Sequence, residues 1–401
     1  MTLRRHQLRT RILAAAAVLA LTAAAGCSGS AASGDQQPTG GPLKLGLILP
    51  QSGPYKSIGD DIGRGWQFYL DTHGGKLGGH AVEVVTADEA EGKQTAINSA
   101  KKLLDKDRVV AIAGTGTADS VESIKTLVTE RKVPFVGTGG RPSTLTDLSY
   151  IWHTSWLSRE TGQAIAQHLR TAVDGTVYVI GPDYVGGHDQ IGGFVDAYTG
   201  AGGKLANDDG KPAWTPWPAT TNFLPYLNKV QTSGAKAVYC FYAGTAAVDF
   251  VKQYEQAGLK GKVPLYAAGF LTEGAVLAAQ GPAADGVRTV LNYAANVDNA
   301  ANRSFAPAFQ AKYSAAPNIY NVTGYDAALV FDLAIAAAGD TPTSQSINTA
   351  IGKLGAIDSP RGSWRFGTAH SPIQPWYLRE VQNDGRARAN VVVQNLTTLG
   401  S

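Results

Sequence analysis

Cysteine is scarce. Two residues in 401 are too few for a disulfide framework. Cys240 lies in the apolar run Ala237-Val238-Tyr239-Cys240-Phe241-Tyr242 and reads as a small core residue. Charge of one sign is also lacking. The formal net charge is +3, but Arg4, Arg5, Arg9 and Arg11 fall in the first 26 residues, where there is no Asp or Glu. The rest of the chain keeps 31 of the 35 basic residues against 32 acidic ones, so nothing argues for a nucleic-acid partner. The marks of several catalytic classes are missing too. There is no Gly-x-x-x-x-Gly-Lys-Ser/Thr loop, no Gly-x-Ser-x-Gly elbow and no His-Glu-x-x-His. Gly114-Thr115-Gly116 has Asp119 where a dinucleotide fingerprint needs its third Gly. The seven histidines are scattered, with no pair at metal-ligand spacing beside a carboxylate. An α/β enzyme of this length ordinarily shows one such mark.

What is present begins with a leader. The four arginines precede an Ala/Leu run over 12–25, too short to span a bilayer comfortably, which reads as a secretory signal. Ala24-Ala25-Gly26-Cys27 then resembles a bacterial lipobox, with Cys27 as the acylated first residue of the mature chain. Arg4-Arg5 is a poor twin-arginine match. Residues 28–42, rich in Ser, Gly, Ala, Gln and Pro, cannot bury a core and read as a tether.

The chain is organised around residues 43–69. Leu45, Leu47, Ile48 and Leu49 form an almost continuous apolar run, as expected of a strand inside a parallel sheet covered on both faces. Pro50 stops it, and Gln51-Ser52-Gly53-Pro54 forms a loop. Ile62, Trp66 and Tyr69 then fall on one helical face. In open α/β sheets ligands bind outside the carboxyl ends of strands, so this loop should face a site. Strand patterns follow at 82–85, 109–113, 133–136, 177–180, 237–242 and 263–267. Helical patterns separate them at 95–104, 120–130, 160–170, 190–199, 223–230 and 246–256. The alternation implies parallel βαβ sheets, and 401 residues suffice for two lobes. Helices are expected at 302–313 and 321–338, and short strands at 364–366, 376–381 and 389–394. Gly116-Thr117-Ala118 and Gly244-Thr245-Ala246 each end a strand and open a helix, as if one topology occurred twice. Such a turn offers free N–H groups to an anion, although Asp119 with Glu122 could cap the first helix instead.

The leader, tether and order of elements resemble the solute-binding lipoproteins of ABC importers, in the branched-chain-amino-acid-type family. The likeness covers about residues 43–396. It rests on Ser52-Gly53-Pro54 with Gly59, Gly114-Thr115-Gly116, Ala257-Gly258-Leu259 before Val263-Pro264, and Gly324-Tyr325-Asp326-Ala327-Ala328. A narrower likeness, to the subgroup linked to uptake of benzoate-like acids, lies in three further stretches. These are Asp183-Tyr184-Val185-Gly186-Gly187-His188-Asp189, Asp298-Asn299-Ala300-Ala301-Asn302, and Ser359-Pro360-Arg361-Gly362 leading to His370-Ser371-Pro372. The resemblance implies an α/β type I periplasmic-binding fold. Two Rossmann-like lobes with parallel sheets would be joined by three crossover strands near 153–157, 287–293 and 375–379. The expected division is a signal peptide at 1–26, a tether at 27–42, lobe 1 at 43–154 and 290–376, and lobe 2 at 155–289 and 377–401. It also implies a monomer, lipid-anchored through Cys27 on the outer face of the cytoplasmic membrane. Such a protein closes on a ligand, docks on a permease, and needs neither cofactor nor metal.

Amino-acid binders of the family hold the ligand ammonium with an acid just after the Val-Pro strand. Phe270 stands there, with Glu273 three residues on at the expected start of a helix. The hydroxyl residue that grips the amino-acid backbone falls near Gly140-Arg141. A site that loses an acid and gains a ring and an Arg should prefer an aromatic carboxylate. Arg141 or the Gly116-Thr117 helix N-terminus would take the anion, and Tyr55, Tyr184, Tyr242 and Phe270 would surround the ring. Ile58, Asp119, Gly139 and Trp156 complete the expected site. The rivals are an amino-acid or amide binder and, from another class, a secreted α/β hydrolase.

Overall fold

The computed structural model describes residues 41–90 and 93–400; the leader, Cys27 and the tether up to residue 40 lie outside the described residues. Strand β1 (Leu43–Leu49) is buried at every position but Lys44. The reason is its place in the first sheet. That sheet also contains β2 (Lys76–Leu77), β3 (His80–Asp88), β4 (Ala111–Gly114), β5 (Phe135–Gly137) and β6 (Ile151–His153), in the order β2-β3-β1-β4-β5-β6. Every pairing is parallel except the short β2–β3 hairpin. With helices α1 (Lys56–Thr72), α2 (Lys93–Lys101) and α3 (Ala118–Glu130) this is a doubly wound lobe.

The second lobe runs through α4 (Glu160–Ala172), β7 (Val177–Asp183), α5 (Val185–Gly200), β8 (Ala213–Pro216) and α6 (Leu224–Thr232). It continues through β9 (Ala237–Cys240), α7 (Gly244–Gln256), β10 (Leu265–Ala268), α8 (Ala275–Gln280) and β11 (Arg288–Leu291). Strands β8-β7-β9-β10-β11 pair in parallel. The chain then supplies α9 (Ala300–Tyr313), α10 (Ile319–Ala338) and α11 (Ser344–Ile351), and ends in β12 (Ile357–Ser359), β13 (Gly362–Phe366), β14 (Pro372–Asn383) and β15 (Arg388–Leu399). Strand β14 lies antiparallel to β11 and to β15, so the strands expected at 376–381 and 389–394 are one long hairpin, while the one expected at 364–366 is the short β13.

Helix α10 packs against α1 of the first lobe, and two glycines let the helices approach closely. A Cβ on Gly65 would lie 1.8 Å from the Asn321 carbonyl oxygen, and one on Gly324 would lie 2.2 Å from that of Ile62. The Gly324 motif is therefore a backbone-packing device. Helix α5 starts five residues earlier than its apolar pattern, since Gly186 and Gly187 continue the helix rather than turn the chain.

Three passages of chain at the waist are tied by Gln374. Its amide donates to Ser155 O at 2.8 Å, and its carbonyl accepts from Asn292 and, at 2.9 Å, from Arg361. Arg361 forms a buried 2.8 Å ion pair with Asp326 of α10 and lies over the Trp364 ring. A second buried pair joins Arg379 to Glu273 at 2.9 Å.

Candidate ligand-binding site

Each sheet has one topological switch point, with β1 between β3 and β4, and β7 between β8 and β9. The loops that leave the carboxyl ends of these strands meet around a cavity between them. The first lobe contributes Tyr55 and Ile58 after β1, Gly116-Thr117-Ala118 after β4, Gly140 after β5, and Tyr320 from the first turn of α10. The second contributes Tyr184, Gly186 and Gln190 around the start of α5, Phe241 and Ala243 after β9, and Phe270 after β10. Trp156 and Ser158 line it from the stretch between β6 and α4.

Aromatic rings dominate the wall. Trp156 stacks on Phe270 at 4.7 Å, Phe241 meets Phe270 edge-on at 5.9 Å, and Tyr320 tilts over it at 6.0 Å. Also in the second lobe, Tyr184 stacks on Trp217 at 4.8 Å. The Trp217 indole N–H donates to the Tyr55 hydroxyl at 3.2 Å, which donates to that of Tyr184 at 3.3 Å. Burial pushes Tyr55 up to about 12 and raises Tyr184 too, so both remain neutral donors. Among the described residues, no charged side chain lines the cavity.

The lobes also touch away from the cavity. Asp189 of α5 accepts from the backbone N–H of Ser143 at 2.8 Å and from its hydroxyl. Glu273 accepts the Ile319 N–H, at the start of α10, at 2.9 Å. These contacts describe a closed cleft. Glu273 does not open α8 as expected, but is buried between Arg379 and α10.

Of the expected site residues, Tyr55, Ile58, Thr117, Trp156, Tyr184 and Phe270 line the cavity, whereas Asp119, Gly139, Arg141 and Tyr242 do not. Tyr242 points away from it, bonding Thr215 at 3.2 Å and packing on Phe223 and Phe250; its neighbour Phe241, also past the end of β9, takes the cavity face. Arg141 is 4% exposed and its guanidinium points at the carbonyls of Pro142 and Leu145. Asp119 sits in the first turn of α3, 3.7 Å from Lys93. Gly139 lies against the Gly116 carbonyl, where a Cβ would be 2.5 Å from that oxygen.

The α3 N-terminus is not an open anion site either. Thr117 is its N-cap, accepting from Ser120 N, in place of the expected Asp119–Glu122 box. The Gly116 N–H goes to the Glu89 carboxyl at 3.1 Å. Glu89 is fully buried, and burial outweighs these bonds, pushing its carboxyl up to about 8. Nothing in the local sequence marked Ser158, Phe241 or Tyr320 as lining the cavity, or Glu89 as the partner of Gly116 behind it, because distant elements bring them together.

Residues 42–386 match the family model described as periplasmic binding protein. The chain belongs to that family. A relative from Brucella melitensis, Leu/Ile/Val-binding protein homolog 6, is 31% identical over 351 residues, covering 84% of this chain and 87% of that protein. A solved solute-binding protein of an ABC transporter from R. palustris, in complex with benzoate, is 29% identical with a TM-score of 0.83, over 90% of this chain and 98% of that one. Another from R. palustris, in complex with 4-hydroxybenzoate, is 27% identical with a TM-score of 0.81, over 89% and 98%. The family member described here is accordingly a solute-binding protein of the ABC-transporter kind rather than an enzyme, working outside the cytoplasm. No helix among the described residues is long and apolar enough to cross a membrane.

Proposed function

We propose that this protein captures a small aromatic carboxylate between its lobes and delivers it to the permease of an ABC importer. One observation carries the reading: a ring-lined cavity formed by both lobes, with no carboxylate among the described residues of its lining to balance an ammonium. An α-amino acid would bury its ammonium there without a counter-ion, at a cost of several kcal/mol. A carboxylate can be held by neutral N–H and O–H donors alone. Phe270 occupies the position of the missing acid, and the benzoate and hydroxybenzoate complexes of the R. palustris proteins point the same way. Tyr55, Tyr184, Trp156 and Phe270 are the ring contacts in this reading, with Ile58 and Thr117 completing the wall. Closure follows because a ligand touching both lobes binds the closed form better than the open one.

The lobes in this proposal are residues 43–154 with 290–376 and residues 155–289 with 377–401. The protein works as a monomer, held on the outer face of the cytoplasmic membrane by lipid on Cys27. The test is a thermal-shift and calorimetric comparison of benzoate and hydroxybenzoates with leucine, isoleucine and valine. At a hundredfold excess over Kd, a ligand specific for the folded form adds about 2.7 kcal/mol and raises Tm. Aromatic acids should do so at about one per chain and be recovered unchanged. A response to the aliphatic amino acids alone would overturn the ligand assignment and favour the reading suggested by the name of the Brucella relative.

A further inference from the structure

The buried polar atoms at one corner of the cavity carry a more specific statement, which rests on the aromatic-carboxylate reading. Several buried side-chain N and O atoms lack a hydrogen-bond partner in the protein. Among the described residues, two of them belong to the cavity lining: Trp156 Nε1 and Ser158 Oγ. Trp156 is 2% exposed and Ser158 1%. A buried donor left without an acceptor is costly, so such a pair facing a ligand cavity points to a ligand acceptor.

The backbone converges the two donors. The Arg141 N–H donates to Trp156 O at 2.9 Å and the Ser158 N–H donates to Arg141 O at 2.9 Å, a short parallel bridge centred on Arg141 and Leu157. This brings Gly140 against both side chains. A Cβ on Gly140 would stand 2.7 Å from Ser158 Oγ and 3.2 Å from Trp156 Nε1, so both donors aim at the same small volume. Glycine keeps that volume open. Arg141, on the same bridge, places a buried positive charge beside the corner without entering the cavity. The Trp156 indole that offers the N–H also stacks on Phe270, so an acid held here would lay its ring along Phe270.

We infer that the Gly140–Trp156–Ser158 corner is the carboxylate subsite, with the Trp156 indole N–H and the Ser158 hydroxyl as its donors. Arg141 and the α3 N-terminus do not touch the ligand. Removing one donor from a carboxylate should weaken binding roughly ten- to a hundredfold, and from a neutral carbonyl roughly two- to tenfold.

The test is calorimetry on the full chain, with benzoate and benzamide as probes, for wild type, Ser158→Ala, Ser158→Thr and Trp156→Phe. Ser158→Ala and Trp156→Phe should each lose benzoate affinity by the larger factor and so lose preference for acid over amide. Ser158→Thr, which keeps the hydroxyl, should stay within a few-fold of wild type. The Trp156 indole N–H resonance of wild type should shift when benzoate is added, a readout that depends on no variant folding. If wild type binds benzoate, the two donor-deleting variants match it within about threefold and the indole resonance stays put, the subsite is wrong and the aromatic-acid reading stands. If wild type binds no aromatic acid, both fall.

Discussion

Glu89 is where pH should reach the stability of this protein. It is fully buried behind the cavity wall, its carboxyl against the N–H of Gly116, and burial moves it from the ordinary 4.5 up to about 8. Between those two values the folded chain keeps a proton that the unfolded chain releases. The folded state therefore binds more protons, and stability falls as pH rises across that window, becoming flat above it. Each tenfold in proton affinity is worth about 1.4 kcal/mol. The gap amounts to about 5 kcal/mol if the site stays rigid and dry, and to about 2–3 if it relaxes and takes up water on ionising. Glu89→Gln keeps the shape of the neutral carboxyl and cannot ionise. Urea unfolding of both proteins from pH 5 to pH 9 should give similar free energies at pH 5. At pH 9 the variant should be the more stable by about 2–5 kcal/mol. Asp61, whose carboxyl is also raised by burial, contributes equally to both proteins and cancels in the difference. Parallel profiles over the whole range would refute the reasoning, because Glu89 would then ionise as easily in the folded chain as in the unfolded one.

Two further outcomes are expected. Asp326→Asn leaves the guanidinium of Arg361 buried without its counter-ion and should cost about 3–5 kcal/mol in urea unfolding, while Asp326→Leu combined with Arg361→Met should recover most of it; a single-variant cost below about 1 kcal/mol would mean that the waist does not depend on this pair. Cys27→Ser should release the protein from membranes into the medium on cell fractionation, and variant protein that stays with the membranes would remove the lipid anchor.

The two-lobe architecture was legible because it is written in local signals. The apolar run of β1, its stop at Pro50 and the period of Ile62, Trp66 and Tyr69 need no knowledge of distant residues. The Gly324 motif was visible for a reason of packing, since close approach to α1 leaves no room for a side chain. The site was legible where a residue leaves the end of a strand, as with Tyr55, Thr117 and Phe270. Tyr242 was misplaced because six consecutive apolar residues, 237–242, carry no alternation. Which face meets the cavity is decided by Phe223 and Phe250, which bury Tyr242 and turn Phe241 inward.

Charge was the least legible property. A sequence shows that Arg141 and Glu89 are ionisable but not what covers them. Arg141 read as a ligand anchor because it sits on a loop next to Gly140, yet the 156–158 segment folds over it and leaves Gly140 facing the cavity instead. The Gly116-Thr117 turn read as an open anion site because its N–H groups are unspent in the local sequence. In the fold, the Gly116 N–H is taken by a carboxyl 27 residues upstream. Both corrections have one physical origin. A charged group, or an open helix end, is costly to bury unless something satisfies it; the chain gives Gly116 a carboxyl, and turns Arg141 toward the carbonyls of Pro142 and Leu145, 3.4 and 3.5 Å away, with its Nε left unpaired. What is left facing the cavity among the described residues is a neutral surface of rings, N–H and O–H groups, which under the proposed reading would discriminate by unmet hydrogen bonds rather than by countercharge. Selectivity of that kind turns on whether the ligand offers an acceptor at the Gly140 corner, so substitutions at Trp156 and Ser158 should alter it more than any change of surface charge.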